Sequence, residues 1–321
     1  MTKSIKFKHF GQIKAKTPFS MRSFFFCLAF VATGALLVGC GSESMTIRPR
    51  SGGMYEDKSA LVHEVQDTTT DAPSAMKRAD QFLQQGNKDE ALYYYVKALE
   101  FDHKNKDALE KIGEIHAGKG NYEPAKVAYQ LALKLDPKNA TALESLGLIQ
   151  LNMGSQAEAK QSLTAAVASD PNLWRARNGL GLIADKNGDY LHASQYYESA
   201  LKTKPKMPML MNNLGYSHYL SGDWQGAMQM FAAVSRLDAR YDPAWLNLGL
   251  VHARQGNEAA ALQSFRHVLN EADAYNNLGY IYMMDKKTPP AYQCFEKAIS
   301  LSPTYHTLAN ENLKQLLAPE N

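Results

Sequence analysis

At 321 residues the chain has the length of about two ordinary domains, and 45% of it is hydrophobic, ample for a buried core. The formal net charge of +3 is set by the amino terminus: six lysines and arginines and no acids precede residue 40, and without them 35 − 6 = 29 basic residues face 32 acidic ones, a charge of −3. Neither balance favours nucleic acid as a partner, and the three cysteines, Cys27, Cys40 and Cys294, include no pair with metal-ligand spacing.

The chain opens with basic residues, followed by a mostly apolar run from Phe24 to Val38 that is too short for a transmembrane helix of about 20 residues. Leu37-Val38-Gly39-Cys40 comes next. A basic segment, an apolar segment and small residues before a cut describe a secretory signal peptide over residues 1–39. Met21-Arg22 also opens a signal peptide of conventional length, which leaves residues 1–20 as an extension or a misplaced start. The tetrapeptide resembles the lipobox of bacterial lipoproteins. That resemblance implies cleavage before Cys40 and acylation of its sulfur and new amino group, with Leu37 and Gly39 in the recognised apolar and small positions. Gly41 stands where an aspartate retains many lipoproteins at the inner membrane. The same resemblance therefore implies a lipid anchor in the outer membrane, facing the periplasm; several acyl chains anchor stably where one is marginal. The alternative is a plain signal peptide or membrane anchor with an incidental cysteine. From Cys40 to about residue 71 there is no helical periodicity, while Pro49, Gly52-Gly53 and Thr68-Thr69-Thr70 read as a flexible tether with a root-mean-square span of roughly 30 Å.

Beyond residue 72 a ladder of small residues recurs every 34 positions. Leu180-Gly181, Gly188, Ala193, Tyr197, Ala200 and Pro205 repeat Leu146-Gly147, Gly154, Ala159, Leu163, Ala166 and Pro171, which repeat Ile112-Gly113, Gly120, Ala125, Tyr129, Ala132 and Pro137. This spacing resembles the tetratricopeptide repeat, a helix-turn-helix unit. It implies an all-α fold: a right-handed α-solenoid of about seven repeats over 72–105, 106–139, 140–173, 174–207, 208–241, 242–271 and 272–305, with a capping helix and tail at 306–321. Glycine at the eighth position of a repeat is expected to let its two helices approach closely. The aromatic at the twenty-fourth is expected to fill the hole between repeats. The first repeat is atypical, with Ala79 for glycine and His103 for the terminal proline, as suits a cap. Between Gly249 and Gly279 the spacing falls to 30 residues. The missing four amount to about one helical turn, so the second helix of repeat six is expected to be short and the superhelix angle to change there.

Nothing in the ladder carries catalytic chemistry. Gly179-Leu180-Gly181-Leu182-Ile183-Ala184 matches a dinucleotide fingerprint in letters but lies within a helix, without the preceding strand that motif needs. His116, His218 and His252 share the eleventh position of their repeats, so register explains them. No enzyme activity, cofactor, metal or small-molecule substrate is expected. The expected partner is a protein. In tetratricopeptide arrays the first helices line a groove through positions 2, 5, 9, 12 and 13. Those positions give an acidic patch at Asp107, Glu110, Glu114 and Glu144. Further along they give Leu148, Leu151, Leu182, Asn212, Tyr216, Tyr219, Leu220, Leu246, Leu250, Asn276, Tyr280, Met283 and Met284, a surface suited to an extended or helical apolar peptide. The amides of Asn212 and Asn276 are expected to meet the bound backbone. The basic clamp for a terminal carboxylate used by some such arrays is absent, since Glu110 and Glu114 hold its positions.

A lipobox, a tether and the array together resemble the TadD-type lipoproteins of pilus biogenesis, from the tight-adherence (Flp) pilus system; the NNLGY segments at 212–216 and 276–280 carry that likeness. It implies a non-enzymatic, pilotin-like scaffold that helps a pilus secretin or another assembly component to assemble or localise. The alternative is an adaptor for peptidoglycan enzymes or another envelope complex.

Overall fold

The computed structural model describes residues 69–302 and 306–318. The signal peptide, Cys40 and its lipobox, the tether as far as residue 68, and Pro303 lie outside the described residues. The described residues form fifteen α-helices and no strands. Seven antiparallel pairs follow in order: α1 (Ala72–Gln84) with α2 (Lys88–Phe101), α3 (Lys106–Gly118) with α4 (Tyr122–Leu135), α5 (Ala140–Asn152) with α6 (Gln156–Ser169) and α7 (Trp174–Lys186) with α8 (Tyr190–Thr203). Then come α9 (Pro208–Ser221) with α10 (Trp224–Leu237), α11 (Asp242–Arg254) with α12 (Glu258–Phe265), α13 (Glu271–Met284) with α14 (Thr288–Leu301), and a last helix, α15 (Thr307–Leu317). Each helix packs on the one before and the one after, and the first helices of adjacent repeats also touch. The core is thus a chain of local clusters, as expected of an array in which each unit contacts its neighbours.

The turn inside each pair needs a left-handed residue. Gly86, Gly120, Gly154, Gly188, Gly222 and Gly256 supply it, with φ between 77° and 88°. In repeat seven Lys286 takes that place at φ 59°. Asparagine starts the first helix of three repeats: Asn105 Oδ1 accepts from Ala108 N at 3.0 Å, Asn139 Oδ1 from Ala142 N at 2.9 Å, and Asn270 Oδ1 from Asp273 N at 2.8 Å.

The eighth-position glycines are packed against the twenty-fourth residue of their own repeat. A Cβ added at Gly181 would lie 2.6 Å from the Tyr197 ring, one at Gly147 2.6 Å from Leu163, and one at Gly215 2.8 Å from Phe231. The twenty-fourth side chain therefore closes on its own repeat first. It also reaches the next repeat, as where Tyr197 shares a cluster with Leu214. In repeat one Ala79 sits at the glycine position, fully buried in the cluster of Tyr95.

Repeat six departs from the rest. Its second helix, α12, has 8 residues, where the other second helices have 14. A turn closes on Phe265, whose carbonyl accepts from Val268 N and Leu269 N, and Arg266 pairs with Glu271 at 2.7 Å. Trp245 stacks on His267 at 3.7 Å between centroids and donates Nε1–H to the Ala239 carbonyl at 2.9 Å, which covers the shortened end. At the far end α15 lies on α13 and α14, and His306 caps it through Nδ1, accepting from Ala309 N at 3.2 Å.

Candidate partner-binding groove

The apolar groove positions expected from the sequence fall on α5, α7, α9, α11 and α13. Leu148, Leu151, Leu182, Tyr216, Leu220, Leu246, Leu250, Tyr280, Met283 and Met284 are all half-buried there. One flank of most of them seals the seam between repeats. Leu148 and Leu151 lie against Gly179 of the next repeat, where a Cβ would come within 3.5 and 3.2 Å of them. Leu182 packs on the Tyr197 cluster, Tyr216 and Leu220 on the Phe231 cluster, and Leu246, Tyr280 and Met283 on the Phe295 cluster. The Tyr216 and Tyr219 rings stack at 5.8 Å.

The structure moves three of the expected residues. Asn212 and Asn276, each 1% exposed, do not face an open groove. Asn212 Oδ1 accepts from Asn247 Nδ2 and Asn276 Oδ1 from Asn312 Nδ2, both at 2.9 Å. Their amides are therefore committed to the next repeat before any peptide arrives. Tyr219 is 9% exposed, and its hydroxyl accepts from Arg254 Nε at 2.9 Å; it supports Tyr216 more than it offers a surface.

The same correction extends along the array. Position five of a repeat is a link to the next repeat. Glu110 accepts from Asn139 Nδ2 at 2.7 Å, Glu144 from Ala176 N at 2.9 Å, and Asn178 from Asn213 Nδ2 at 2.8 Å. With Asn212 and Asn276 this makes a lateral polar ladder. It skips repeat six, where position five is Leu246, packed in an apolar cluster. The acidic patch is correspondingly thinner than the sequence implies. Glu144 is 7% exposed, its carboxyl pushed up by burial, and Glu114 pairs with Lys111 at 3.1 Å. Asp107 remains exposed.

Two groove residues were not singled out from the sequence. Asp185, at position twelve of repeat four, accepts from the Tyr197 hydroxyl at 2.8 Å through Oδ2, while its buried Oδ1 has no hydrogen-bond partner. Burial pushes its carboxyl up to about 6. Burial, Tyr219 and Asp185 all push the Tyr216 hydroxyl up, so that ring stays neutral. Arg254, at position thirteen of repeat six, is held between Tyr219 and Asp285, to which it is ion-paired. Both were visible in principle, since they fall on groove positions of the 34-residue register.

Other titratable groups serve packing. His252 is pushed down by burial and stays neutral, as does His116, while His218 pairs with Asp223 at 3.0 Å. Cys294 is buried, and its thiol is pushed up to about 12 by burial and by Glu258. Among the described residues there is no cluster of three metal-ligating side chains, and no helix is long and apolar enough to cross a membrane.

Family models for tetratricopeptide repeats match residues 113–154 and 272–305, and a third matches three overlapping spans, 145–208, 178–242 and 212–277. Together these run without a gap from 113 to 305. The chain is a tetratricopeptide-repeat protein. Its fold is similar to that of a tetratricopeptide repeat protein from Parabacteroides merdae, with a TM-score of 0.59 at 19% identity, covering 77% of this chain and 99% of the other. It is also similar to the C-terminal part of a TPR repeat-containing protein from Cytophaga hutchinsonii, at 0.56 and 18%, covering 74% and 99%. A third likeness is to a chain of the APC/C Cut9–Hcn1 hetero-tetramer, at 0.55 and 19%, covering 79% of this chain and 50% of that one. At these identities the likeness is one of fold. No curated protein matches the sequence. The repeat fold is a scaffold suited to protein–protein interaction, and its first helices supply the face described above.

Proposed function

We propose that this repeat protein is a non-enzymatic lipoprotein scaffold. Cys40 carries the lipid, the outer membrane holds it, and the array faces the periplasm and grips an apolar segment of a partner protein. The observation that supports the grip is the line of half-buried Leu, Tyr and Met side chains from Leu182 to Met284. All but Met284 are packed on one flank against the seam clusters and half-exposed on the other. Pre-ordered side chains lose little entropy on binding, so apolar contact there is retained as affinity. The partner class follows from the resemblance to TadD-type lipoproteins: a secretin or another component of a tight-adherence or type IV-like pilus, whose assembly or localisation this protein assists.

The test is co-purification from envelope extracts with Tyr216→Ala, Leu220→Ala and Tyr280→Ala combined. Tyr219 is left intact because its loss would disturb Arg254. The expected outcome is loss of the bound partner from a variant that keeps its helical circular dichroism and melts at a lower temperature, because the same side chains seal the seams. Full retention of the partner rules out this groove. A deletion strain that still makes normal surface pili and normal secretin multimers rules out the pilus assignment.

A further inference from the structure

Repeats five, six and seven carry asparagine at their sixth positions: Asn213, Asn247 and Asn277. The first two are rungs of the lateral ladder. Asn213 Nδ2 donates to Asn178 at 2.8 Å and Asn247 Nδ2 to Asn212 at 2.9 Å, and both asparagines are buried. In each rung the partner is position five of the repeat before. For Asn277 that position is Leu246, because repeat six is four residues short. A leucine side chain offers no acceptor. Among the described residues the Asn277 carboxamide makes no hydrogen bond; the residue is half-buried and its amide stays open to solvent. On α13 Asn277 shares a helical face with Tyr280 and Met284, three and seven residues on. Asp273, one turn before it, is already bonded to His306 and Asn270. Helix α11 touches α13, and its Leu246 and Leu250 pack with Tyr280 on the Phe295 cluster. One amide, its donor and acceptor both unused, thus lies in an otherwise apolar stretch of the groove.

We propose that Asn277 binds the main chain of the guest. Its carboxamide accepts from the N–H and donates to the C=O of one residue in an extended segment of the partner protein, where that segment crosses from α11 to α13. The proposal rests on the groove function above and states the form the guest takes there. An extended residue turns its N–H and C=O to the same side, as in an antiparallel strand pair, and a single carboxamide matches both. A guest helix has those groups bonded within itself and brings only side chains. An apolar side chain laid over Asn277 would desolvate the amide and leave it unpaired, which weakens binding. An extended segment bonds the amide while its own side chains meet Leu250 and Tyr280. Asn213 and Asn247 are buried and already bonded, so this contact is made at one place, repeat seven. It holds the depth and register of the guest without reading its sequence.

Linear peptides selected from a random phage-displayed library on the purified full chain in detergent micelles supply the probe. A selected peptide that loses binding to Tyr280→Ala occupies the groove. Each of its peptide groups is then replaced in turn by an ester, which removes the N–H and weakens the carbonyl as an acceptor. Asn277→Ala is expected to bind the parent peptide about tenfold less tightly than the wild type does. One ester is expected to weaken binding to the wild type by a similar factor and to have no further effect on Asn277→Ala. Asn277→Ala melts as the wild type does, since its side chain bonds nothing in the described fold. A groove-bound peptide whose affinity and ester profile are the same on Asn277→Ala overturns this proposal and leaves the groove standing. Esters that are equally costly on both proteins, as for a peptide bound as a helix, overturn it too. A library that yields no peptide sensitive to Tyr280→Ala overturns the groove itself, and the proposal falls with it.

Discussion

At the scale of single residues, two positions set the strongest constraints. Gly181 is closed by the Tyr197 ring at a distance that no added Cβ can occupy. Gly181→Leu is expected to cost about 1–3 kcal/mol by overpacking, read as a lowered midpoint in urea. An unchanged midpoint contradicts the packing described. Asp185 is the second. Its carboxyl lies near 6 in the folded chain, raised by burial, against about 3.9 when unfolded. Between those values the folded chain keeps a proton that the unfolded chain has lost, so stability falls as pH rises from about 4 to about 6 and stays lower above. Asp185→Asn removes that dependence. It is expected to be more stable than the wild type by about 1–3 kcal/mol at pH 7 and no more stable at pH 4. An equal gain at both pH values counts against the assignment. The eighth-position glycine was legible in the sequence because it recurs as the same residue. The register shows the position of Asp185 but not its burial, which depends on Tyr197 and on the neighbouring repeat and which the spacing of small residues does not describe.

At the scale of elements, the lateral ladder holds the first helices in line. It escaped the sequence reading because its members change type. Glutamate, asparagine and backbone N–H all serve at the fifth-position link, and only the 34-residue recurrence of polar residues at Glu110, Glu144, Asn178 and Asn212 marks it. Its cost of removal follows from burial. Asn247→Ala leaves the Asn212 carbonyl oxygen buried and unpaired, an expected loss of about 1–3 kcal/mol. Removing Asn212 as well should add less than its separate effect, because the two act on one bond. Urea titrations of the two single variants and the double variant measure that coupling, and strict additivity would speak against the ladder. Helix existence and order were legible throughout, since each repeat carries its own small residues and alanines and all but the seventh carry a turn glycine. The short α12 was legible too, from the four residues missing between Gly249 and Gly279; it has 8 residues against 14 elsewhere, a larger loss than one turn, and Trp245 stacks on His267 just beyond its end.

At the scale of the whole molecule, the array is one continuous stack, and its stability is a sum of seams. The proposed function needs that stack held at a membrane. Cys40→Ser is expected to abolish acyl labelling and release the protein into the soluble envelope fraction, while the array melts as before; unchanged labelling sinks the lipid assignment. The shortened α12 has a separate consequence. A strictly periodic groove resembles a rack of identical teeth, on which an elongated guest can sit equally well one tooth up or down. The spacing of 30 residues in place of 34, together with Leu246 where the ladder skips a rung, spoils that equivalence at one place. For a guest bound in the proposed groove across α11 and α13, that break would distinguish one offset from its neighbours, an index mark that tells the two ends of the rack apart.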